Sequence, residues 1–262
     1  RRCGVMLLGR PIRLLAAAFL FLGAVALGGC QILNKGSFGA FKRSLNTKAH
    51  GYQIVADPTG TAPTKFVERF EVQPGDCSAS HGWSDCANDR ERSELSGDRE
   101  NDRGRDYWYG WSLYVPVDTP NVCPTKTALA QFHQTGAPPA FMFQNRCGGL
   151  WIDRNFGATT DIRSIIKPAD LRGRWHRVAV HARWSAEKDG FFKVYVNDDL
   201  KWAFNGRTNT RGRIYFKYGI YRTWLSYYKR AKGVDQVPAQ IVYYANVRRA
   251  QTRAGLRPPS PK

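Results

Sequence analysis

The stretch that decides the fold is Tyr215-Phe216-Lys217-Tyr218-Gly219-Ile220-Tyr221-Arg222. In a β-strand, side chains two apart share a face and neighbours point to opposite faces. One face therefore carries a polar row of Tyr215, Lys217, Gly219 and Tyr221, and the other an apolar row of Phe216, Tyr218 and Ile220. This alternation predicts a strand that covers a core with one face and offers the other to a ligand. The glycine in the polar row is expected to leave space for that ligand.

Two shorter segments alternate in the same way. Gln131 and His133 share a face around an inward Phe132, and Arg92 shares a face with Glu94 in Arg92-Ser93-Glu94-Leu95. If the three segments pair in one sheet, their polar side chains form one surface above an apolar underside.

These segments resemble the three signature blocks of jelly-roll polysaccharide lyases, R-[ST]-E-L, Q-[IVF]-H and Y-F-K-x-G-x-Y. That group includes alginate lyases, glucuronan lyases and lyases of the heparin lyase I type. The matching blocks run from Arg92 to Arg222 in the order of the family. The resemblance implies an all-β, single-domain β-jelly-roll, a concanavalin-like two-sheet sandwich, and a lyase that cleaves a uronic-acid-containing polysaccharide by β-elimination.

The resemblance also implies catalytic roles. In β-elimination a base removes the proton on C5 of a uronate, and the C4 oxygen leaves. Arg92 and Gln131 match the residues that neutralise the carboxylate as negative charge develops. His133 either shares that task or is the base, and Tyr221 matches the tyrosine that protonates the leaving oxygen and in some members is also the base. We expect Lys217 and nearby arginines to lower the pKa of Tyr221 from its usual value of roughly 10.

The residues expected to contact substrate are Glu94, Tyr215, Lys217, Arg222 and Trp224. Glu94 is also expected to pair with Arg92 and so shape the sheet. Trp224 and the tyrosines that follow it either stack on sugar rings or pack at the rim of the domain, since aromatic side chains do both.

Departures from the family pattern bear on the substrate. Alginate lyases of this shape usually follow the first block with Arg and the last tyrosine with Asn-Gln, whereas this chain has Ser96 and Arg222-Thr223. A glucuronan- or glycosaminoglycan-like polymer is therefore the first choice and alginate the second. The alternative is a non-catalytic, lectin-like surface lipoprotein of the same fold. A glycoside hydrolase needs a pair of catalytic carboxylates, and the three blocks contain only Glu94.

The N-terminus predicts export. Arginines precede an apolar run from Leu14 to Leu27, and Leu27-Gly28-Gly29-Cys30 follows. This order is typical of a signal peptide over residues 1–29, and the run is short for a membrane span. Because Cys30 resembles the lipidated cysteine of bacterial lipoproteins, we expect a lipid anchor in the cell envelope. Gln31, rather than Asp, after that cysteine favours the outer membrane if the source is Gram-negative. The alternative is a plain signal peptide and a secreted protein.

The remaining boundaries follow from composition. Residues 30–50 are expected to form the lipidated cysteine and a tether, residues 51–250 the lyase domain, and residues 251–262 a disordered tail. Further strands are predicted at 107–115, 129–134, 141–144, 175–183, 191–197, 213–221 and 240–247, with a short turn or helix within 162–171.

The charge favours an anionic partner. The chain carries a formal net charge of +19, and removal of residues 1–29, with four arginines and no acids, leaves +15. Such a charge attracts polyanions. For an exported protein we expect acidic polysaccharide rather than nucleic acid, and we expect a monomer.

Four cysteines in the predicted domain favour disulfides, as is usual for exported proteins. Of the three possible pairings we favour Cys77–Cys86, which closes a loop rich in Gly and Ser, and Cys123–Cys147, which joins the two sides of the Gln131 strand. The spacing of cysteines and histidines does not suit zinc, so no metal site is predicted. No cofactor is expected to be required, because Arg92 and Gln131 take the place of a metal at the carboxylate. The resemblance allows a structural calcium ion, which some relatives bind.

Overall fold

Two seven-stranded antiparallel sheets pack face to face and enclose an aromatic core. The structure, a computed structural model, describes residue 38 and residues 40–99, 104–155 and 161–258. This architecture confirms the predicted all-β two-sheet sandwich. The predicted signal peptide over residues 1–29 and the predicted lipidation of Cys30 lie outside the described residues. No helix in the described ranges is both long enough and apolar enough to span a membrane.

The chain passes between the two sheets several times. The strands are β1 (Lys42–Arg43), β2 (Tyr52–Ala56), β3 (Phe66–Val72), β4 (Ala79–Ser80), β5 (Trp83–Ser84), β6 (Arg90–Ser96), β7 (Asp106–Tyr114), β8 (Lys126–Gln134), β9 (Ala137–Arg146), β10 (Gly149–Arg154), β11 (Asp161–Ile166), β12 (Trp175–Arg183), β13 (Phe191–Val196), β14 (Asp199–Asn205), β15 (Ile214–Thr223) and β16 (Gln240–Ala250). The helices are α1 (Pro168–Leu171) and α2 (Leu225–Lys232), with short 3-10 turns at Ala49–Gly51 and Arg253–Leu256.

The first sheet, called here the groove sheet, has the strand order β1-β6-β15-β8-β9-β10-β11. The second, called the back sheet, has the order β14-β13-β12-β7-β16-β3-β2, and β4 and β5 form a separate hairpin. The three sequence blocks therefore lie on three adjacent strands, β6, β15 and β8, at the centre of the groove sheet.

The apolar underside of the groove sheet packs on the back sheet as the alternation predicts. The ring of Phe216 lies 5.1 Å from that of Trp111, and the ring of Phe132 lies 4.9 Å from that of Tyr109, centroid to centroid. Aromatic pairs at such distances bury large apolar areas and add a favourable edge or face contact. The core therefore fixes the underside of β15 and β8, so that their other face is turned away from it.

A carboxyl group lies within this core. Glu68 of β3 accepts hydrogen bonds from the hydroxyls of Tyr52 and Tyr218, both at 2.8 Å. Burial raises the pKa of Glu68 to about 7, and the two tyrosine hydrogen bonds oppose the shift. A buried carboxyl favours its neutral form because the charged form loses its hydration.

Gly219 has a different role from the one predicted. Its φ is +128°, a region that side chains with a Cβ rarely adopt, and a Cβ there would collide with the carbonyl oxygen of Ser93 and lie 2.7 Å from a ring carbon of Phe70. The pairing of β15 with β8 also shifts between Tyr218 and Tyr221. The glycine therefore permits a β-bulge against the core, and the expectation that it makes room for a ligand was wrong.

The folded domain extends beyond the predicted limits at both ends. Phe38 and Phe41 are buried in the core and β1 pairs with β6, so the predicted tether over residues 30–50 is incorrect from residue 38 onwards. At the other end Asn246 donates a hydrogen bond to the carbonyl of Leu256 at 2.8 Å, and residues 253–256 form a 3-10 turn. The predicted disordered tail is therefore ordered up to residue 258, and its last residues lie outside the described part.

The predicted strands are present, with longer limits than the sequence suggested for most of them. The predicted turn or helix within 162–171 is instead strand β11 followed by the four-residue helix α1. Strands β1, β2, β4, β5, β10 and β14 and helix α2 were not predicted. Both favoured disulfides, Cys77–Cys86 and Cys123–Cys147, are present.

Candidate active site

The register of the groove sheet brings the three blocks together. On β15, Tyr215 pairs with His133 and Lys217 pairs with Gln131, while Tyr221 pairs with Arg92 on the other side. These side chains line an open groove of about 730 Å³. The predicted catalytic residues, Arg92, Gln131, His133 and Tyr221, therefore share one face and one groove.

Glu94 is the centre of the hydrogen-bond network beneath the groove. Its side chain accepts hydrogen bonds from Gln131 Nε2, from Lys217 Nζ at 2.6 Å and from Arg92 Nη1 at 3.3 Å. Glu94 is only 1% exposed. It was predicted to contact substrate, but a carboxylate that is buried and already shared by three donors instead holds the groove residues in place.

Arg92 has a partner that the sequence did not reveal. Its Nε and Nη2 donate to the two carboxylate oxygens of Asp85, both at 2.5 Å. Asp85 is fully buried and lies beside the Cys77–Cys86 disulfide, which closes its loop. A bidentate pair of this kind fixes the guanidinium plane, and the Cζ atom of Arg92 lies 4.1 Å from the centre of the Tyr221 ring. The remaining nitrogen, Nη1, donates to Glu94 at 3.3 Å and to Ser44 at 3.4 Å, so every nitrogen of the Arg92 guanidinium has a partner.

The charges of this centre are balanced. Arg92 and Lys217 supply two positive charges, and Asp85 and Glu94 supply two negative ones within hydrogen-bond distance. Buried charges need such partners, because an unpaired charge loses its hydration without compensation. The centre is therefore preorganised without a surplus of positive charge.

His133 is neutral over the usual pH range. Burial, and then the charge of Lys217, lower the pKa of His133 to about 4. Its ring stacks on that of Tyr215 at 4.9 Å, and its Nδ1 lies 2.9 Å from both the carbonyl oxygen and the amide nitrogen of Gln134. When Nδ1 accepts from the Gln134 amide, the neutral ring carries its proton on Nε2, and when Nδ1 instead donates to the carbonyl, the lone pair of Nε2 is free.

Tyr221 differs from the expectation. Burial raises the pKa of Tyr221, and the nearby Arg92 guanidinium only partly opposes this. The side chain is 9% exposed, and Lys217 Nζ lies 5.9 Å from the centre of its ring. The prediction of a lowered pKa was wrong because it counted the cations and could not count burial. The phenol is therefore protonated near neutral pH.

The predicted substrate contacts divide into two groups. Tyr215, Lys217 and Trp224 line the groove. Arg222 does not, since its side chain is fully buried and donates to Glu91 at 2.7 Å and to the carbonyl of Pro238 at 2.5 Å. Because Arg222 follows Tyr221 directly in β15, its side chain points to the opposite side of the strand, and its assignment as a substrate contact was wrong.

Several groove residues escaped the sequence analysis. They are Trp83, Arg90, Lys126 and Gln144. One signal was available for Arg90, which lies two residues before Arg92 and so shares its face. Lys126 was missed because the predicted strand began three residues later than β8 does.

In the described ranges, His, Cys, Asp and Glu side chains form no group of three or more that could hold a metal ion. The structural calcium ion allowed by the resemblance stays a prediction.

Comparison with known proteins gives a consistent result. A family model described as polysaccharide lyase matches residues 33–248. An endo-β-1,4-glucuronan lyase from the fungus Trichoderma reesei has a similar structure, with a TM-score of 0.61 and 18% identity, over 86% of this chain and 95% of that one. No curated protein gives a match.

Two alginate lyases of polysaccharide lyase family 7 are also similar in structure. AlgAT5 has a TM-score of 0.55 and 14% identity, over 80% of this chain and 92% of its own. A1-II' has a TM-score of 0.56 and 15% identity, over 82% and 95%. Identities this low show a shared fold, on which different activities can be built. The family match covers most of the chain, and the chain therefore belongs to the polysaccharide lyase family.

Proposed function

We propose that this enzyme cleaves a uronate-containing polysaccharide by β-elimination, with a glucuronan- or glycosaminoglycan-like polymer as the first choice and alginate as the second. The observation that carries the proposal is a neutral histidine and a protonated tyrosine in the same groove, with Lys217 and Gln131 on the strands that hold them. An acid and a base of this kind are what the elimination needs.

The first task is to stabilise the carboxylate of the substrate. Gln131 Nε2 carries two hydrogens, and Glu94 takes one of them. Glu94 also fixes the orientation of the amide, because a carboxylate can only accept. The second hydrogen is then available to the substrate carboxylate, and the long hydrogen bonds of Arg92 Nη1 to Glu94 and Ser44, at 3.3 and 3.4 Å, give way to the substrate when it binds. Donors placed in advance stabilise the charge that grows as C5 loses its proton.

The base in this proposal is His133. In the tautomer that donates from Nδ1 to the Gln134 carbonyl, its Nε2 accepts the proton from C5. The electrons of the C–H bond form the double bond between C4 and C5, and the bond from C4 to the glycosidic oxygen breaks. A histidine with a pKa of about 4 is ready to accept a proton at neutral pH without first losing one. The stacking of its ring on Tyr215 restricts its orientation.

The acid is Tyr221. Because burial raises its pKa, the phenol keeps its proton until the leaving oxygen needs it. The guanidinium of Arg92, 4.1 Å from the ring centre, then stabilises the phenolate that remains. The proposal therefore assigns the base to His133 and the acid to Tyr221, a choice that the sequence left open.

The preference for glucuronate rests on the departures at Ser96 and Thr223 from the pattern of alginate lyases. The similarity in fold to a glucuronan lyase supports it.

The test is the appearance of unsaturated sugar ends, followed by ultraviolet absorbance, on polyglucuronate, alginate and a neutral glucan. We expect the largest rate on polyglucuronate and none on the glucan. New reducing ends without absorbance would indicate hydrolysis and contradict the proposal. Binding of polyuronates without any cleavage would favour the lectin-like alternative.

We also propose that the protein is exported and anchored in the cell envelope through Cys30, and that it acts as a monomer. The sequence pattern before Cys30 supports the anchor, and an anionic polymer is the kind of substrate met outside the cell.

A further inference from the structure

A second row of polar residues crosses the groove beside the catalytic one. Thr223 of β15 pairs with Arg90 of β6 on one side and with Lys126 of β8 on the other. All three side chains line the groove. Thr223 lies two residues after Tyr221, so this row is displaced from Tyr221 by roughly 7 Å along the strand, on the same face.

The cations of this row differ from those of the catalytic centre. Arg92 and Lys217 are paired with Asp85 and Glu94. In the described part of the chain neither cation of the second row forms an ion pair, and Asp153, which acts on Lys126 from a longer distance, is paired with Arg146. Arg90 donates one hydrogen bond, to the carbonyl of Asn88 at 2.7 Å, and its Nε has no partner there. The surplus positive charge of the groove floor therefore lies in the second row.

Aromatic rings flank the same row. The Arg90 guanidinium lies 5.6 Å from the ring centre of Trp83 and 5.2 Å from that of Trp224. Both tryptophans are 42% exposed, which is high for side chains of this size. Trp224 also stacks on Tyr227, with ring centres 5.7 Å apart and planes 15° apart. Flat exposed rings beside cations suit the apolar face of a sugar that carries a carboxylate.

The backbone of Trp224 is in a strained conformation. Its φ of +63° is in the left-handed region, which is uncommon for a residue other than glycine. Its N–H donates to the carbonyl of Asp89 at 3.1 Å, and its own carbonyl accepts from the hydroxyl of Thr125 at 2.7 Å. Strained residues held by their surroundings are frequent at ligand sites.

We propose that Arg90, Lys126, Thr223 and Trp224 form a second acidic-sugar subsite, next to the one at which elimination occurs. The carboxylate of the neighbouring uronate lies between the two cations and accepts from the Thr223 hydroxyl, and its ring packs on Trp224. The inference rests on the proposed function and narrows it: the preferred substrate carries two uronates in succession. A polymer with a neutral sugar at this position loses both ion contacts.

The test compares Lys126→Met with Lys193→Met. Lys193 lies on β13 between the buried Phe192 and Val194, so its side chain leaves the outer face of the back sheet and the variant makes the same charge change away from the groove. On polyglucuronate, Lys126→Met should raise KM about tenfold, as expected for the loss of one charged hydrogen bond, and should change kcat much less. Its KM should also depend less on salt, because a charge that attracts the polymer is gone. Lys126→Arg should restore most of the affinity.

An unchanged KM in Lys126→Met, or an equal rise in Lys193→Met, overturns the subsite. A loss confined to kcat also overturns it, since Lys126 would then act in the chemical step. The subsite can be tested even if the proposed function is wrong. If the wild-type protein does not cleave polyglucuronate, its affinity for oligoglucuronates can still be measured by a titration followed by tryptophan fluorescence. Equal affinities of the wild type and Lys126→Met in that titration refute the subsite.

Discussion

The buried carboxyl of Glu68 makes stability depend on pH in a direction opposite to that of most carboxylates. Its pKa is raised by burial from 4.5 to about 7, so the neutral form is favoured in the folded state. Below pH 4.5 Glu68 is protonated in both the folded and the unfolded protein, and its contribution to the unfolding free energy is fully present. That contribution is lost as the pH rises through the folded-state pKa of about 7. At about 1.36 kcal/mol per pKa unit, the loss amounts to about 3 kcal/mol of unfolding free energy.

Glu68→Gln removes this dependence. Glutamine keeps the shape and an acceptor for the hydroxyls of Tyr52 and Tyr218, but it cannot ionise. Urea unfolding of both proteins between pH 4.5 and 8 gives the difference in free energy at each pH. We expect the variant to gain about 3 kcal/mol relative to the wild type across this range.

The matched control is Glu71→Gln on the same strand. Glu71 is partly exposed, and although burial acts against ionisation, its hydrogen bonds to Gln73 and Arg69 lower its pKa overall. Glu71 therefore stays ionised in both states above pH 5, and its variant should show a constant difference there. If wild type and Glu68→Gln keep a constant difference over the whole range, Glu68 does not titrate as the structure indicates and the reasoning fails.

Three further predictions concern the site and the anchor. Gln131→Ala should lower kcat more than it raises KM, because its amide matters most as the carboxylate charge develops; a change in KM alone in steady-state kinetics would contradict this. The acid limb of kcat/KM should lie near pH 4, because a base must be neutral and the pKa of His133 is about 4; a limb near the usual histidine value in a pH–rate profile would exclude His133 as the base. Cys30→Ser should release the protein from the membrane fraction of cells, and retention there would mean that the apolar run itself is the anchor.

The sequence was sufficient to predict which side chains lie together on the groove face of the sheet. Period-two alternation in β6, β8 and β15 predicted which side chains share a surface, and register then brought Arg92, Gln131, His133 and Tyr221 to one groove. The alternation also separates Tyr221 from Arg222, and assigning Arg222 to the groove ignored it. The disulfides followed from an even number of cysteines and from the loops they could close.

The predictions that failed depended on tertiary contacts, which the alternation of side chains does not encode. Asp85 meets Arg92 because a disulfide loop folds against the end of β6, and the separation of seven residues gives no sign of that pairing. The shift of the Tyr221 pKa depends on burial, which a list of nearby cations does not contain. Gly219 is required at a β-bulge, and the bulge arises because β15 pairs with β6 on one side and with β8 on the other.

The limits of the domain were missed for a related reason. Phe38 and Phe41 are two aromatic residues in a segment rich in polar and small ones, and composition therefore assigned them to a tether. Their rings lie 5.4 Å apart in the core, and Phe41 also contacts Tyr218 of β15. Only the arrangement of the two sheets provides the space that they fill.

The central claim is that Tyr221 protonates the leaving oxygen in an elimination, and the most direct test is Tyr221→Phe assayed on polyglucuronate by the ultraviolet absorbance of unsaturated ends. The change removes one hydroxyl from a side chain that lines the groove rather than the core, so the melting temperature should match that of the wild type. Turnover should fall by roughly 10²–10⁴-fold, as expected for the loss of a general acid. A Tyr221→Phe enzyme that produces unsaturated ends at the wild-type rate would contradict the account.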